Sequence, residues 1–391
     1  MILLTCLLAA WLLPGFSLLA QAGEESLGAL FLDEPVGARG AALGESLVGV
    51  AEDANAVYWN PAGLVRVGRQ ELLLAHAQSF QGFRNEYAAL LWPWSESTAF
   101  GVNALFSYSD AFEKMNATGE PDGTFSLYDV YAGLSWSHAF TPHLAGGVTV
   151  KGLRQVIDTY SAWSAAADIS VLWSNVLPDL NLGWVINNLG KPVVFINRSH
   201  NLDAFTELGA AYRTWNRDLL LTAALRKPLA QEMVFKAGAE LTVLDILALR
   251  AGYRAWSSGN YLGAFAGLTL GLGIRISDYT LDYAYTPFPD LGDVHRLTVT
   301  LPFGRSVVEE QRMLEKLEKQ VKAKQKAIFN QTVSEGDHWT AQGVFDKAGA
   351  AYAKAYGMNP QDAGLNKKIL QVNLAVKKRT AETHAARGQK A

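Results

Sequence analysis

Between Gln70 and Phe303 apolar and polar residues alternate with period two, a pattern that only strands with two unlike faces can satisfy. Tyr279, Leu281, Tyr283 and Tyr285 share one face, opposite Thr280, Asp282 and Thr286. Leu297, Val299 and Leu301 oppose Arg296, Thr298 and Thr300. Phe235, Ala237, Ala239 and Leu241 oppose Lys236, Gly238 and Glu240. Leu247, Leu249, Ala251 and Tyr253 oppose Arg250, Gly252 and Arg254, and Arg226 closes the polar face of the run from Leu219. Fourteen strands are predicted, at about 70–78, 85–93, 98–109, 125–139, 143–156, 160–174, 179–189, 203–213, 217–227, 231–242, 244–254, 260–275, 279–286 and 293–303.

Such strands suit a soluble sandwich, with the apolar face as core, or a membrane barrel, with the apolar face on lipid and the polar face on the lumen. Periodicity does not separate the two. Composition favours the barrel: charged residues make up 18% of the chain and aromatics 11%, with 11 Trp to supply interfacial girdles. Residues 1–22 read as a secretory signal, with an apolar run from Ile2 to Leu13, a break at Pro14-Gly15 and a small-x-small site at Ala20-Gln21-Ala22. The single cysteine, Cys6, lies in that segment, so the mature chain is expected to hold no disulfide, thiolate metal site or cysteine nucleophile. No later stretch offers about 18 uninterrupted apolar residues, so a membrane crossing would need a closed barrel of about 14 antiparallel strands, spanning 70–304.

Connections after odd-numbered strands include the long ones, 110–123, 190–201 and 287–293. Those after even-numbered strands are tight, as at Thr214-Trp215-Asn216 and Ser277-Asp278. By the usual barrel convention the short turns are periplasmic, which puts both the N-terminal segment and the C-terminal tail in the periplasm.

Ahead of the strands, Val36–Leu64 is rich in small residues, and residues 23–69 are expected to form a hatch inside the barrel. Gly37, Gly40 and Gly44 permit close backbone approach around Arg39. Asp53 and Asn55 are expected to cap or bridge backbone donors. Pro61 biases Asn60 away from helical backbone, so a break is predicted between Trp59 and Ala62. The Asn60-Pro61-Ala62-Gly63 corner either folds the plug or tethers it to the wall as a gate.

Charge shifts after Gly304. From Ser306 onward there are 15 Lys and Arg against 9 Asp and Glu, in a chain whose net charge is -3. Val307, Leu314, Val321 and Ile328 recur every seven residues, which predicts a charged linker helix over 305–329. Residues 330–391 resemble one tetratricopeptide repeat, with Gly336, Trp339, Gly343, Ala348, Tyr352, Ala355 and Pro360 at its small, aromatic and proline positions. A third helix, about Ala363–Ala385, carries Lys367, Lys368, Lys377, Lys378 and Arg379 and ends in a basic tail.

The blocks G-A-R-G-A-A-L-G and E-D-A-N-A-V-Y-W-N-P-A-G-L resemble the N-terminal signature of the PorV/PorQ-like branch of the FadL outer-membrane transporter superfamily. Asn188-Leu189-Gly190, Asp282-Tyr283-Ala284-Tyr285, Leu291-Gly292, His295-Arg296 and Pro302-Phe303-Gly304 add to the likeness, which covers about residues 25–304. The resemblance implies a fourteen-stranded barrel closed by an N-terminal hatch. It implies either passive uptake of hydrophobic small molecules or a PorV-like role in type IX secretion, handling exported proteins. The tail is not part of that pattern and suggests a third role, a membrane anchor for a module that binds a periplasmic protein.

The inward charges Arg226, Lys236, Glu240, Arg250, Arg254, Asp282 and Arg296 either line a polar channel or pair across strands and hold the plug, and pairing is the commoner arrangement for buried charge. Phe80, Phe83, Phe112 and Trp256 are candidates for apolar capture on external loops. Seven His lack metal-ligand spacing, and no G-x-S-x-G or phosphate-binding loop is present. The reading is a non-enzyme with no cofactor and no metal. Its partners are outer-membrane lipid and a hydrophobic small molecule or exported protein. The basic tail reads as a helix face, with no nucleic-acid site.

Overall fold

The computed structural model describes residues 28–259, 264–288, 292–304 and 306–388. The signal-peptide reading, Cys6 and Leu291 lie outside them. Fourteen strands close into one antiparallel barrel. In chain order its strands are β1 (Gln70–Gln78), β2 (Arg84–Ser95), β3 (Thr98–Tyr108), β6 (Leu127–Ala139), β7 (Leu144–Ile157), β8 (Tyr160–Leu177), β9 (Leu180–Gly190), β12 (Phe205–Thr214), β13 (Leu219–Pro228), β14 (Val234–Val243), β15 (Leu247–Trp256), β16 (Leu268–Ile276), β17 (Tyr279–Phe288) and β18 (Gly292–Phe303). Each pairs with the next, and β18 returns to β1 in a register that sets Gln70 against Phe303. Closure leaves no free edge, which settles the choice between sandwich and barrel.

The two faces divide cleanly. Outward residues include Trp94, Leu134, Val150 and Trp163, exposed at 73, 66, 60 and 69%. The alternate residues point inward and are buried, among them Thr149, Glu207, Lys236, Glu240, Asp282 and Thr298. An exposed apolar wall with charged groups buried inside is the inverse of a water-soluble barrel and matches a lipid surround. Among the described residues no helix is long and apolar enough to cross a membrane.

The rim where β1 begins and β18 ends carries short turns, such as Leu244 and Asp245 between β14 and β15, both at positive φ as tight hairpins require. The opposite rim carries the longer connections. Two of them hold small hairpins that alternation did not reveal, β4 (Phe112–Met115) with β5 (Pro121–Phe125), and β10 (Val193–Phe195) with β11 (Arg198–His200). Their strands are only three to five residues long, too short for a periodic signal. Among the described residues of the strand expected over 260–275, Leu268–Ile276 is strand. Ala264–Gly267 is a 3-10 turn, consistent with the weak strand propensity of Ala-Phe-Ala-Gly.

Residues 28–69 lie inside the cylinder, as short helices α1 (Ala38–Ala42), α2 (Ala56–Trp59) and α3 (Leu64–Val67) joined by 3-10 turns. They touch inward residues of strands from β2 round to β18, which only an internal segment can do.

A second compact unit covers Glu309–Ala391. Its helices are α4 (Val307–Ala341), α5 (Phe345–Met358) and α6 (Ala363–Gly388). One uninterrupted helix runs across the division expected at 329/330. No Gly or Pro interrupts residues 307–335 to break it.

Candidate functional site

The lumen is filled because wall and inner segment are both built of small residues where they meet. A Cβ on Gly183 would overlap the Val48 carbonyl, and one on Gly252 would overlap Gly44. Gly44 itself has φ 61°, a left-handed backbone that glycine adopts at low cost. Gly37, at φ 78°, precedes α1, and Gly40 lies against the Trp59 ring.

Asn60 has extended backbone, φ -158°, between α2 and the 3-10 turn Pro61–Gly63. Its Oδ1 accepts from Ala62 N at 3.1 Å, while its Nδ2 donates to Val48 O at 2.7 Å and to Val171 O on β8 at 3.3 Å. Ala62 N also donates to Ser170 Oγ at 2.9 Å, and Ser137 Oγ donates to Ala62 O at 3.0 Å. A Cβ on Gly147 would overlap Ala62 N, with Gly63 following against Ala51. The corner is therefore bonded to β6 and β8 and lies flat on β7.

Asp53 bridges as its type allows, accepting from Asn55 N at 2.9 Å and from Arg39 Nη1 at 2.7 Å. Asn55 does not cap α2. Its side chain is turned onto Gly37, whose missing Cβ makes the room, and its Nδ2 has no partner.

The seven inward charges are each paired in the structure. Glu240 takes two bonds from Arg39, at 2.7 and 2.9 Å, and one from Arg250 at 2.6 Å. Arg250 reaches Asp282 at 2.6 Å. Lys236 meets Glu207 at 2.9 Å and Glu45 at 3.7 Å, and Arg254 meets Glu45 at 2.5 Å. Arg226 lies between Asp33 and Asp203, at 2.5 and 3.0 Å, and over the Phe205 ring at 3.6 Å. Arg296 reaches Glu34 at 3.4 Å. Five of these pairs join the inner segment to the wall: Arg39 with Glu240, Arg254 and Lys236 with Glu45, Arg226 with Asp33 and Arg296 with Glu34. Glu52 adds a sixth, held by Arg213 of the wall and by Arg39 of its own segment. Burial pushes the Glu45 carboxyl up, but Arg254 and Lys236 outweigh it and hold the group below the usual range. Glu52 is lowered in the same way, with Arg39 and Arg213 overcoming burial.

Sequence reasoning missed the wall partner Glu207, although it shares its strand face with inward-facing Phe205 and Gly209. It also missed a buried cluster in which Lys151 meets Asp168 at 2.7 Å and Asn188 at 3.0 Å. There β8 and β9 slip register, and Asn188 has φ 60°. Alternation does not reveal a bulge, because the extra residue breaks the period that carries the signal.

The ion pairs that hold the inner segment gather on β12–β18, and Lys151–Asp168 lies apart from them on β7 and β8. On β2, β3, β6 and β7 the lumen instead presents Tyr87, Leu105, Tyr131 and Leu153, packed with Phe31, Val36 and Val57 of the inner segment. Asn103 Nδ2 donates to Tyr87 and Tyr131 hydroxyls at 3.2 and 3.3 Å. The lumen thus has an ionic half and an apolar half.

A cavity of about 510 Å³ opens at the short-turn rim, lined by charged groups including Glu52, Asp53, Arg213, Asp245, Arg275 and Asp278. Further inside, the described cavities shrink to about 10 and 20 Å³, room for a water. At the opposite rim Phe80 lies 5.9 Å from Phe288, and Phe112 lies 6.0 Å from Phe83 and 5.8 Å from Phe125. Trp256 stands at the end of β15, 5.5 Å from the Arg254 guanidinium.

In the helical unit Ala348, Tyr352 and Ala355 are buried with Leu365 and Val372, and Trp339 packs at the edge beneath Lys347. Gly336 faces the Tyr352 ring, Gly343 turns the chain at φ 71°, and Pro360 follows α5. Tyr352 donates to Asp337 at 2.7 Å, and Lys368 meets the same carboxylate at 2.5 Å.

No family's sequence profile matches this chain, and no curated protein does. Solved structures do. The chain is similar to the Ralstonia pickettii toluene transporter TbuX at TM-score 0.54 and 13% identity, over 69% of this chain and 99% of that one. It is similar to the Pseudomonas putida toluene transporter TodX at TM-score 0.51 and 13% identity, over 68% and 97%. It also resembles the monoaromatic hydrocarbon channel CymD at TM-score 0.51 and 11% identity, over 72% and 100%. At these identities the likeness is one of fold alone, a closed barrel shared with these channels.

Proposed function

We propose that this protein is an outer-membrane channel that lets hydrophobic small molecules diffuse inward, with residues 28–69 as its hatch. The observation that carries the reading is the divided lumen inside a lipid-facing barrel. Six ion-paired contacts and the Asn60–Gly63 corner hold the hatch, while the apolar half offers surface that such a compound can wet. The proteins of like fold named above are two toluene transporters and a monoaromatic hydrocarbon channel, which supports the same class here. In this reading the longer connections face outward, and the Phe80, Phe83 and Phe112 cluster adsorbs the compound. It then follows the Tyr87, Leu105 and Tyr131 side and passes when the hatch shifts. The short-turn rim, the hatch opening and the helical unit face the periplasm.

The test is uptake of labelled toluene by cells whose own channels are deleted, with conductance of the purified barrel alongside. Uptake above an empty-vector control is expected, and its absence rejects the channel reading. An Asn60→Ala, Pro61→Ala variant that still inserts is expected to alter both readouts. Unchanged uptake and conductance reject the gating role of that corner.

A second reading has its own support. Glu309–Ala391 has a core of its own around Ala348, Tyr352 and Ala355, which supports reading it as a tetratricopeptide-like module that holds a periplasmic partner. Deleting it is then expected to leave uptake intact and to lose that partner from cross-linked cells.

A further inference from the structure

The helical unit leaves part of its longest helix uncovered. α4 runs for 35 residues, yet its packing against α5 and α6 begins at Phe329. Upstream, Leu314, Leu317, Val321 and Ile328 are 55, 55, 45 and 51% exposed. Their spacing places them on one stripe. Arg312, Lys316, Lys319, Lys322 and Lys326 are exposed as well, and the same helical geometry puts them on the flanks and back of that stripe. Over 312–328 six cations stand against two acids, Glu315 and Glu318. The chain also dictates where this helix starts. β18 ends at Phe303 and α4 begins at Val307, so the first turn lies within about 14 Å of the barrel rim. For a barrel in a bilayer, that is where the lipid headgroups lie.

We propose that residues 312–328 form an interfacial helix that lies on the anionic lipid surface around the barrel. Leu314, Leu317, Val321 and Ile328 enter the boundary between headgroups and acyl chains, Lys322 and Lys324 beside the stripe reach lipid phosphates, and the cations on the back add attraction to an anionic surface. A second copy of the chain suits the stripe less well. In a paired helix the heptad would put Lys324 into the seam, and Gln320 and Gln325 into the flanking positions where ion pairs select a partner. At a lipid surface Lys324 buries its stem and keeps its ammonium at the headgroups.

The inference rests on the barrel standing in a membrane, so the test reads the barrel and the helix separately. The full chain carrying Cys6→Ser receives one spin label, through Leu317→Cys, Val321→Cys or Lys319→Cys. It is reconstituted into vesicles of phosphatidylglycerol and phosphatidylcholine, or of phosphatidylcholine alone. Heat-modifiable gel migration of each sample reports insertion, and a chain that never inserts overturns the membrane reading itself. With the barrel inserted, labels at 317 and 321 are expected to favour oxygen over a water-soluble nickel chelate severalfold, and the label at 319 the reverse. That contrast is expected to collapse in phosphatidylcholine, in high salt, and when Lys316, Lys319, Lys322 and Lys326 are all changed to Gln under a label at 317. Equal nickel access at 317, 321 and 319 in anionic vesicles overturns the proposal. So does protection that persists in phosphatidylcholine, which marks a protein partner, and so does spin–spin broadening between copies at 317, which marks self-association.

Discussion

Arg39 and Glu240 face each other with two parallel hydrogen bonds, Nη2 to Oε1 at 2.7 Å and Nε to Oε2 at 2.9 Å, joining positions 201 residues apart. Both side chains are buried, and the fork-on-carboxylate geometry makes this the most directional of the contacts between inner segment and wall. Arg250 and Asp282 extend the same cluster along β15 and β17.

Glu240→Gln leaves Arg39 and Arg250 as buried cations around a neutral amide. Removing one member of a buried pair costs about 3–5 kcal/mol, so the inner segment is expected to loosen. Trypsin cleavage at Arg39 in the inserted protein should quicken, and spontaneous conductance events should become more frequent. Arg39→Gln with Glu240→Gln should cost less than the two single changes together, by about 0.5–3 kcal/mol.

Gly183→Val places a side chain into the Val48 carbonyl, and Gly147→Val does the same at Ala62. Each is expected to expel part of the inner segment and leave the strands paired. Heat-modifiable migration should persist, while tryptic protection of Arg39 and Arg66 is lost. Gly152→Val is the control, since nothing lies within 4 Å of the added Cβ.

Phe83→Ser with Phe112→Ser opens the aromatic contact between the first two outer connections. Toluene uptake at low concentration is expected to fall severalfold and to recover at high concentration. Capture fails there and conductance does not, so single-channel recordings should match those of the unmodified protein.

The helical unit should depend on pH through Asp337. Burial raises this carboxyl, but hydrogen bonds from Lys368 and Tyr352 outweigh it and leave the group below its ordinary value. A group lowered in the folded state stabilises at pH above its unfolded value, and that contribution is lost as pH falls through the folded value. Helical circular dichroism should therefore weaken below the ordinary carboxylate range, and Asp337→Asn should remove that dependence. Gly336→Val, which drives a side chain into the Tyr352 ring, should unfold the unit at every pH.

Much of this was legible in the residues. Strand count and facing follow from alternation, because inward and outward positions meet different media at every second residue. Tyr279, Leu281 and Tyr283 point out and Asp282 points in, whatever lies across the lumen. The break at Asn60 was legible too, since Pro61 constrains its neighbour locally. Asn55 was misread because capping is a local preference, and here the open space over Gly37 won. The small hairpins and the β8–β9 bulge left no signal, since three to five residues or one displaced residue do not make a period.

The sequence by itself determined which residues line a wall and which face away, because that depends on neighbours one and two positions along the chain. Only the tertiary structure decided that Arg39 meets Glu240, that Arg254 meets Glu45 and that Arg226 sits between Asp33 and Asp203. Those pairs join residues far apart in the chain, and a charge carries no record of its partner until closure of the barrel excludes water and brings the two within a few ångströms.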